Sequence, residues 1–206
     1  MTRLAVLLSG RGSNFLAIYE AVERGELPAQ IALVVSNNAA AAGLEKARAL
    51  RLPAVAIPHR DEPSRAAHEA KVLEALRRAE VEWICLAGYM RLLSESFISA
   101  YPQRILNIHP SLLPAFPGLE AQRQAFDHGV RVSGCTVHLV GEELDHGPIV
   151  GQRAVPVRDD DTAESLAARI LAEEHKLYPE ALKRLFTERW RLEGRRVVFA
   201  GTRRLA

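Results

Sequence analysis

The residues best suited to chemistry lie in one short run, Asn107-Ile108-His109-Pro110-Ser111-Leu112-Leu113-Pro114. It follows directly on an apolar stretch, Arg104 to Ile108, that reads as a strand. Period two places Asn107 and His109 on one face if the strand extends that far. An amide and an imidazole aimed at one point can donate hydrogen bonds to a developing oxyanion, an effect worth about 2.7–4 kcal/mol per donor in acyl transfer. The competing reading of His109 alone is a satisfied structural histidine at a strand end. Three prolines between Pro110 and Pro117 stiffen the loop, and a cis Leu113-Pro114 bond is one way to build it. Acyl transfer to an amine must also move protons, so an oxyanion donor pair plus a carboxylate is a sufficient minimum set. Asp145, in the polar turn Glu142-Glu143-Leu144-Asp145-His146-Gly147-Pro148, is placed to supply it, although such an acid is ordinarily a solvated turn residue.

A second constellation opens the chain. Ser9-Gly10-Arg11-Gly12-Ser13-Asn14 joins the first strand to a helix beginning near Phe15, so backbone N–H groups gather at a helix N-terminus where an anion is favoured. Phe15 stands where a dinucleotide fingerprint has its third glycine, Ser36-Asn37-Asn38 stands where a ribose-binding acid belongs, and no Gly-Lys-Ser/Thr follows. A phosphomonoester held by the N–H groups of Gly12 and Asn14 and the hydroxyl of Ser13 is the remaining ligand reading. Against it stands a purely structural one, a tight turn with Ser13 as N-cap. Glu174 lies near the apolar face of its helix, with Ile170 and Leu171 as neighbours. There a carboxylate needs a ligand, an arginine or a backbone group.

Other chemistries fit poorly. The seven histidines form no His-x-x-x-His pair and the two cysteines, Cys85 and Cys135, are far apart, so no metal is expected. No Gly-x-Ser-x-Gly elbow is present for a serine nucleophile. Cys85, in Trp83-Ile84-Cys85-Leu86-Ala87, reads as a small buried hydrophobe.

Short β-leaning runs at Leu4 to Leu8, Ile31 to Val35, Val55 to Ile57, Trp83 to Leu86 and Arg104 to Ile108 must position these groups. Helical spacing separates them, with Leu44, Ala47 and Leu50 on one face and Ala66, Ala70, Leu73 and Leu76 on the next. Such alternation predicts an α/β fold: a Rossmann-like, mostly parallel twisted sheet with helices on both faces. Val132 to Val140 and Ile149 to Val157 follow one another without a helix, which predicts antiparallel strands added in the C-terminal half. Asp161 and Glu164 form a capping pattern ahead of Leu166, Ile170 and Leu171. The 206 residues suit one domain, with a phosphate-binding half to about 105, a catalytic half from 106 to 190, and a basic solvated tail from 191 containing Arg191, Arg195, Arg196, Arg203 and Arg204. A formal charge of +2 argues against a nucleic-acid partner, and no apolar run of ~18 residues argues for a membrane. A cytoplasmic protein, monomeric or homodimeric and acting on small molecules, is expected.

Ser9 to Asn14, Leu86-Ala87-Gly88-Tyr89-Met90-Arg91-Leu92-Leu93, Asn107 to Pro114 with Pro117-Gly118, Glu143-Leu144-Asp145 and Glu174-His175 together closely resemble the glycinamide ribonucleotide transformylase family, folate-dependent enzymes of purine biosynthesis. The resemblance runs in order from residue 3 to about 190. It implies 10-formyltetrahydrofolate as co-substrate and Asn107, His109 and Asp145 as the catalytic trio, Asp145 orienting His109 through water. It further implies Gly12, Ser13, Asn14 and Glu174 as the ribonucleotide site. Met90, Arg91, Leu92, Leu93, Asn107 and the stretch Val140, Gly141, Glu142, Glu143 and Leu144 would form the pterin cleft, with Arg65 near the folate tail.

Two departures stand out. Leu119-Glu120-Ala121-Gln122 replaces a histidine-bearing stretch before Arg123, and His146 stands where many relatives have glycine. Methionyl-tRNA formyltransferase shares the Asn-x-His pattern but carries an RNA-binding domain not expected here. Formyltetrahydrofolate deformylase, a hydrolase sharing the trio, is a competing function, and so is a nucleotide-binding module without transferase activity.

Overall fold

The computed structural model describes residues 1–200 as a nine-stranded sheet flanked by helices. In chain order the elements are β1 (Thr2–Leu8), α1 (Ser13–Glu23), β2 (Ala29–Ser36), α2 (Ala42–Ala49), β3 (Ala54–Ala56), α3 (Arg65–Arg78), β4 (Trp83–Leu86), α4 (Glu95–Ala100) and β5 (Ile105–His109). There follow α5 (Ala121–Asp127), β6 (Val132–Leu139), β7 (Ile149–Pro156), α6 (Ala163–Thr187), β8 (Trp190–Glu193) and β9 (Arg196–Phe199). The sheet order is β3-β2-β1-β4-β5-β6-β7-β9-β8. The first five strands are parallel, and β6 then pairs antiparallel with both β5 and β7.

Period two sorts β1, the middle one of the five parallel strands, between two cores. Leu4, Val6 and Leu8 enter the cluster that holds Phe15, Ile18, Leu166 and Tyr178, while Ala5 and Leu7 enter the one that holds Val72, Leu76 and Phe97. Tyr178, fully buried on α6, places its hydroxyl 3.2 Å from the Leu86 carbonyl and 3.0 Å from that of Leu106, tying the helix to the ends of β4 and β5.

Three sequence expectations are corrected. The buried stripe of α3 is His68, Glu69, Val72 and Leu76, with Ala66 and Ala70 exposed. The helix is rotated because its polar residues have partners: His68 Nε2 meets the Ile57 carbonyl at 2.9 Å, and Glu69 accepts from Arg65 and from Ser94, the N-cap of α4. The cap of α6 is Thr162, reciprocated by Ser165; Asp161 lies one residue outside and binds Arg169. Residues 190–199 are not a solvated tail but a β8–β9 hairpin on the sheet, since Trp190 and Phe199 give it an apolar base, although Arg191, Arg195 and Arg196 stay exposed. Arg203 and Arg204 lie outside the described residues.

Candidate functional site

Strand β5 reaches His109, so Asn107 and His109 do share a face, and Leu106 and Ile108 point into the opposite core. Beside them runs the antiparallel β6, with His138 opposite Asn107 and Thr136 opposite His109. Cys135, Val137 and Leu139 fill the core side of β6, leaving Thr136 and His138 on the face of the two β5 residues. Asp145 then comes over this face from the loop between β6 and β7. Its Oδ2 lies 3.3 Å from His109 Nδ1, its Oδ1 3.5 Å from Asn107 Nδ2 and 3.6 Å from His138 Nε2.

The imidazole is gripped from both sides. His109 Nε2 donates to the Phe116 carbonyl at 2.8 Å, and the Gly118 N–H donates to Asp145 Oδ2 at 2.8 Å. The proline-rich loop supplying both groups is pinned underneath. Thr136 Oγ1 donates to the Ser111 carbonyl (2.7 Å) and accepts from the Leu113 N–H (3.1 Å), while Gln152 donates to the Leu113 carbonyl (2.9 Å). The Leu113-Pro114 bond is cis.

Burial lowers the basicity of His109, opposed by the Phe116 carbonyl and by Asp145. Burial pushes the Asp145 carboxyl up, but contacts from His138, the Gly118 N–H and His109 outweigh it and hold the group below the usual carboxylate range. With Nε2 donating to a carbonyl, Nδ1 of neutral His109 is a bare acceptor facing a carboxylate oxygen. The 3.3 Å contact is attractive only when a proton lies on it, so the two residues form one proton-holding unit.

At the other constellation, Gly12 adopts φ 71° and is itself the N-cap of α1, so Ser13 is the first helical residue and not the cap. The glycine is required twice over. The left-handed conformation disfavours a side chain, and a Cβ here would stand 2.7 Å from the Gly43 Cα, where α2 crosses the loop. Asn14 is buried, and its Nδ2 donates at 2.7 Å to Oε2 of Glu174, equally buried on α6. Burial pushes the Glu174 carboxyl up, with the Asn14 amide pulling the other way. Glu174 thus meets an amide and not an arginine or a backbone group. Asn14 Oδ1 is buried with no hydrogen-bond partner among the described residues.

Of the two stretches likened to a pterin cleft, one leads into Asp145 and the other follows β4, the strand paired with β5. Met90, Leu92 and Leu144 are 63%, 61% and 54% exposed, so these two stretches contribute three of the large hydrophobic side chains left bare among the described residues, Leu144 standing next to Asp145 in the chain. Leu93 and Val140 pack on the second core, whereas Arg91 and Gly141 are half-buried and Glu142 and Glu143 exposed. Arg65 is tied to this region through Glu69, which binds both its guanidinium and the Ser94 N–H. Among the described residues no group of three His, Cys, Asp or Glu side chains is placed to hold a metal, and no helix is long and apolar enough to cross a membrane.

A sequence profile described as formyl transferase matches residues 2–182. The chain belongs to the formyl transferase family. A phosphoribosylglycinamide formyltransferase of Bacillus subtilis is 45% identical over 185 residues, 90% of this chain and 95% of that protein. A trifunctional purine biosynthetic protein adenosine-3 of Drosophila pseudoobscura pseudoobscura is 47% identical over 182 residues, but the chain spans only 13% of that protein's length. The crystal structure of glycinamide ribonucleotide transformylase 1 from Symbiobacterium toebii superposes with a TM-score of 0.94 at 52% identity, covering 97% of this chain and 94% of that one. A formyltetrahydrofolate deformylase of Pseudomonas syringae shares the fold at a TM-score of 0.87 with 26% identity, matching 65% of that chain.

Sequence reasoning about this formyl transferase missed three participants. Gly118 and Phe116 act through backbone groups, which side-chain chemistry does not reveal. His138 did leave a signal: in the buried strand β6 Thr136 and His138 are polar at period two, beside the Asn107 strand. Water need not intervene between Asp145 and His109, because the loop brings them into direct contact.

Proposed function

We propose that this formyl transferase moves the formyl group of 10-formyltetrahydrofolate to the primary amine of glycinamide ribonucleotide, giving formylglycinamide ribonucleotide and tetrahydrofolate. The amine nitrogen attacks the formyl carbon, a tetrahedral oxyanion forms, and the carbon–N10 bond breaks. One proton leaves the amine and one arrives at N10, so the proton balance is zero.

The observation that carries this reading is the convergence of Asp145, His109 and Asn107 within 3.5 Å contacts of the carboxylate. Asn107 and His109 stabilise the oxyanion, and for His109 Nε2 to reach it the substrate oxygen takes the place of the Phe116 carbonyl. Asp145, held ionised at neutral pH, accepts the amine's proton, which then lies between its carboxylate and His109 Nδ1. Met90, Arg91, Leu92, Leu93 and the stretch Val140 to Leu144 hold the pterin, and Arg65 lies toward the folate tail. The ribonucleotide phosphate sits on Gly12, Ser13 and Asn14 at the N-terminus of α1. Glu174 and the unpartnered Asn14 Oδ1 take hydrogen-bond donors of the acceptor, a built polar pocket that favours an amine acceptor over water. Both cysteines are free and buried, which suits a reducing cytoplasmic setting.

The test supplies 10-formyltetrahydrofolate with and without glycinamide ribonucleotide and follows tetrahydrofolate. Release that depends on the ribonucleotide supports transfer. Release at the same rate without it would make the protein a hydrolase.

A further inference from the structure

The β8–β9 hairpin lies beyond the stretch matched by the family profile, yet its tip touches the loop that carries Asp145. Its base is fixed in the main body. Trp190 packs edge-on against Trp83, with ring centroids 6.4 Å apart, and donates through Nε1 to the Leu185 carbonyl at 3.2 Å. Phe199 is buried, with the Arg184 guanidinium 3.7 Å over its ring. Strand β9 then runs beside the first residue of β7, Arg196 pairing with Ile149, so the turn at Gly194 and Arg195 is delivered next to the end of the 140–148 loop.

There Arg195 closes on the residue after Asp145. Its Nη2 donates to the His146 carbonyl at 2.6 Å and its Nη1 meets His146 Nε2. The same His146 Nε2 lies 3.6 Å from Glu143 Oε2, and the His146 N–H reaches back to the Glu143 carbonyl at 3.3 Å. The loop needs such a constraint. Asp145 is held at φ 52°, a conformation that non-glycine residues rarely adopt, and it must present one carboxylate to His109, Asn107 and the Gly118 N–H together. The backbone after it is also crowded, since a Cβ on Gly147 would fall 1.7 Å from the Leu139 carbonyl.

We infer that Arg195 is a positioning residue for Asp145, clamping the 140–148 loop from the C-terminal hairpin so that the carboxylate stays on His109. The inference rests on the proposed formyl transfer for its kinetic consequence, but not for its structural one. His146 is the clamp's receiving end, which gives a purpose to a side chain at a loop position where glycine would suffice for the turn.

The experiment compares wild type, R195A and R195K by steady-state kinetics and by amide hydrogen exchange. R195A should lower kcat about five- to tenfold while the KM for the ribonucleotide stays within about twofold, because the Gly12–Asn14 loop and Glu174 are not touched. R195K, which can still donate to the His146 carbonyl, should recover a large part of the loss, and exchange at residues 143–147 should quicken in R195A. A merely structural role would lower the melting temperature without this kcat-against-KM split. If R195A proves unstable, R195M keeps the stem and removes the donors. Unchanged kcat together with unchanged exchange would overturn the clamp. A wild-type protein without transfer activity would overturn the functional reading alone, and exchange in the loop would still decide for or against the clamp.

Discussion

Replacing Asp145 by asparagine separates chemistry from architecture, because the substitution keeps volume and one acceptor oxygen. That oxygen can still receive the Gly118 N–H now donated to Oδ2 at 2.8 Å, and the new amide faces His138 Nε2, 3.6 Å from Oδ1, which can accept it once Asn107 turns its own amide away. What is lost is the charge: a hydrogen bond to a carboxylate contributes about 1.5–3 kcal/mol against about 0.5–1.5 for a neutral one, a difference of about 1 kcal/mol. For a chain of this size that lowers Tm by about 2–4 °C. Turnover suffers more. An amide cannot take the amine's proton, and loss of general base catalysis costs at least ~100-fold, or about 2.7 kcal/mol in activation free energy. The measurement pairs tetrahydrofolate release at saturating ribonucleotide with thermal melts of the same preparation. Turnover within about threefold of wild type would refute the role given to Asp145. A Tm fall beyond about 10 °C would show that the carboxylate is chiefly a structural support.

Other outcomes follow from the same geometry. Glu174→Gln should raise the KM for the acceptor about tenfold, read from ribonucleotide saturation curves. Because burial raises the folded pKa of Glu174 above its ordinary 4.5, the folded protein binds more protons there than the unfolded chain, so this stabilisation is present at and below pH 4.5 and is lost as pH rises through the folded value. Thermal melts across pH should therefore show a decline in wild type that is flattened in E174Q. Gly12→Ala forces a Cβ to 2.7 Å from the Gly43 backbone at φ 71°, and differential scanning calorimetry should show a loss of about 1–2 kcal/mol or more from the backbone conformation alone, with weakened ribonucleotide binding by calorimetric titration. Tyr178→Phe removes the donor shared by the Leu86 and Leu106 carbonyls, which chemical denaturation should register as about 1–3 kcal/mol with the KM values preserved.

Much of this arrangement is legible in the sequence. The strand runs from Leu4 to Ile108 are real because each is short, apolar and bounded by turns, and the late antiparallel pair is marked by the missing helix between Val132 and Val157. The common face of Asn107 and His109 follows from strand periodicity alone. The α3 stripe misleads because apolarity is the usual guide to burial, whereas Glu69 and His68 are buried on the strength of their hydrogen bonds. The C-terminal hairpin is hidden by its arginines: Arg191, Arg195 and Arg196 give the segment the composition of a solvated tail, while its anchors Trp190 and Phe199 stand nine positions apart at its two ends. No pattern in the sequence pairs residue 195 with residue 146, since that contact depends on where a sheet edge ends.

The Asn14–Glu174 hydrogen bond joins residues 160 positions apart. A ribosome adding about 5–20 residues per second needs roughly 8–32 s to cover that interval. A nascent chain shorter than 174 residues therefore lacks one of the two groups, and under the proposed function it cannot hold the acceptor through both. Under that same reading, capture by this pair signals that α6 has docked on the glycine turn.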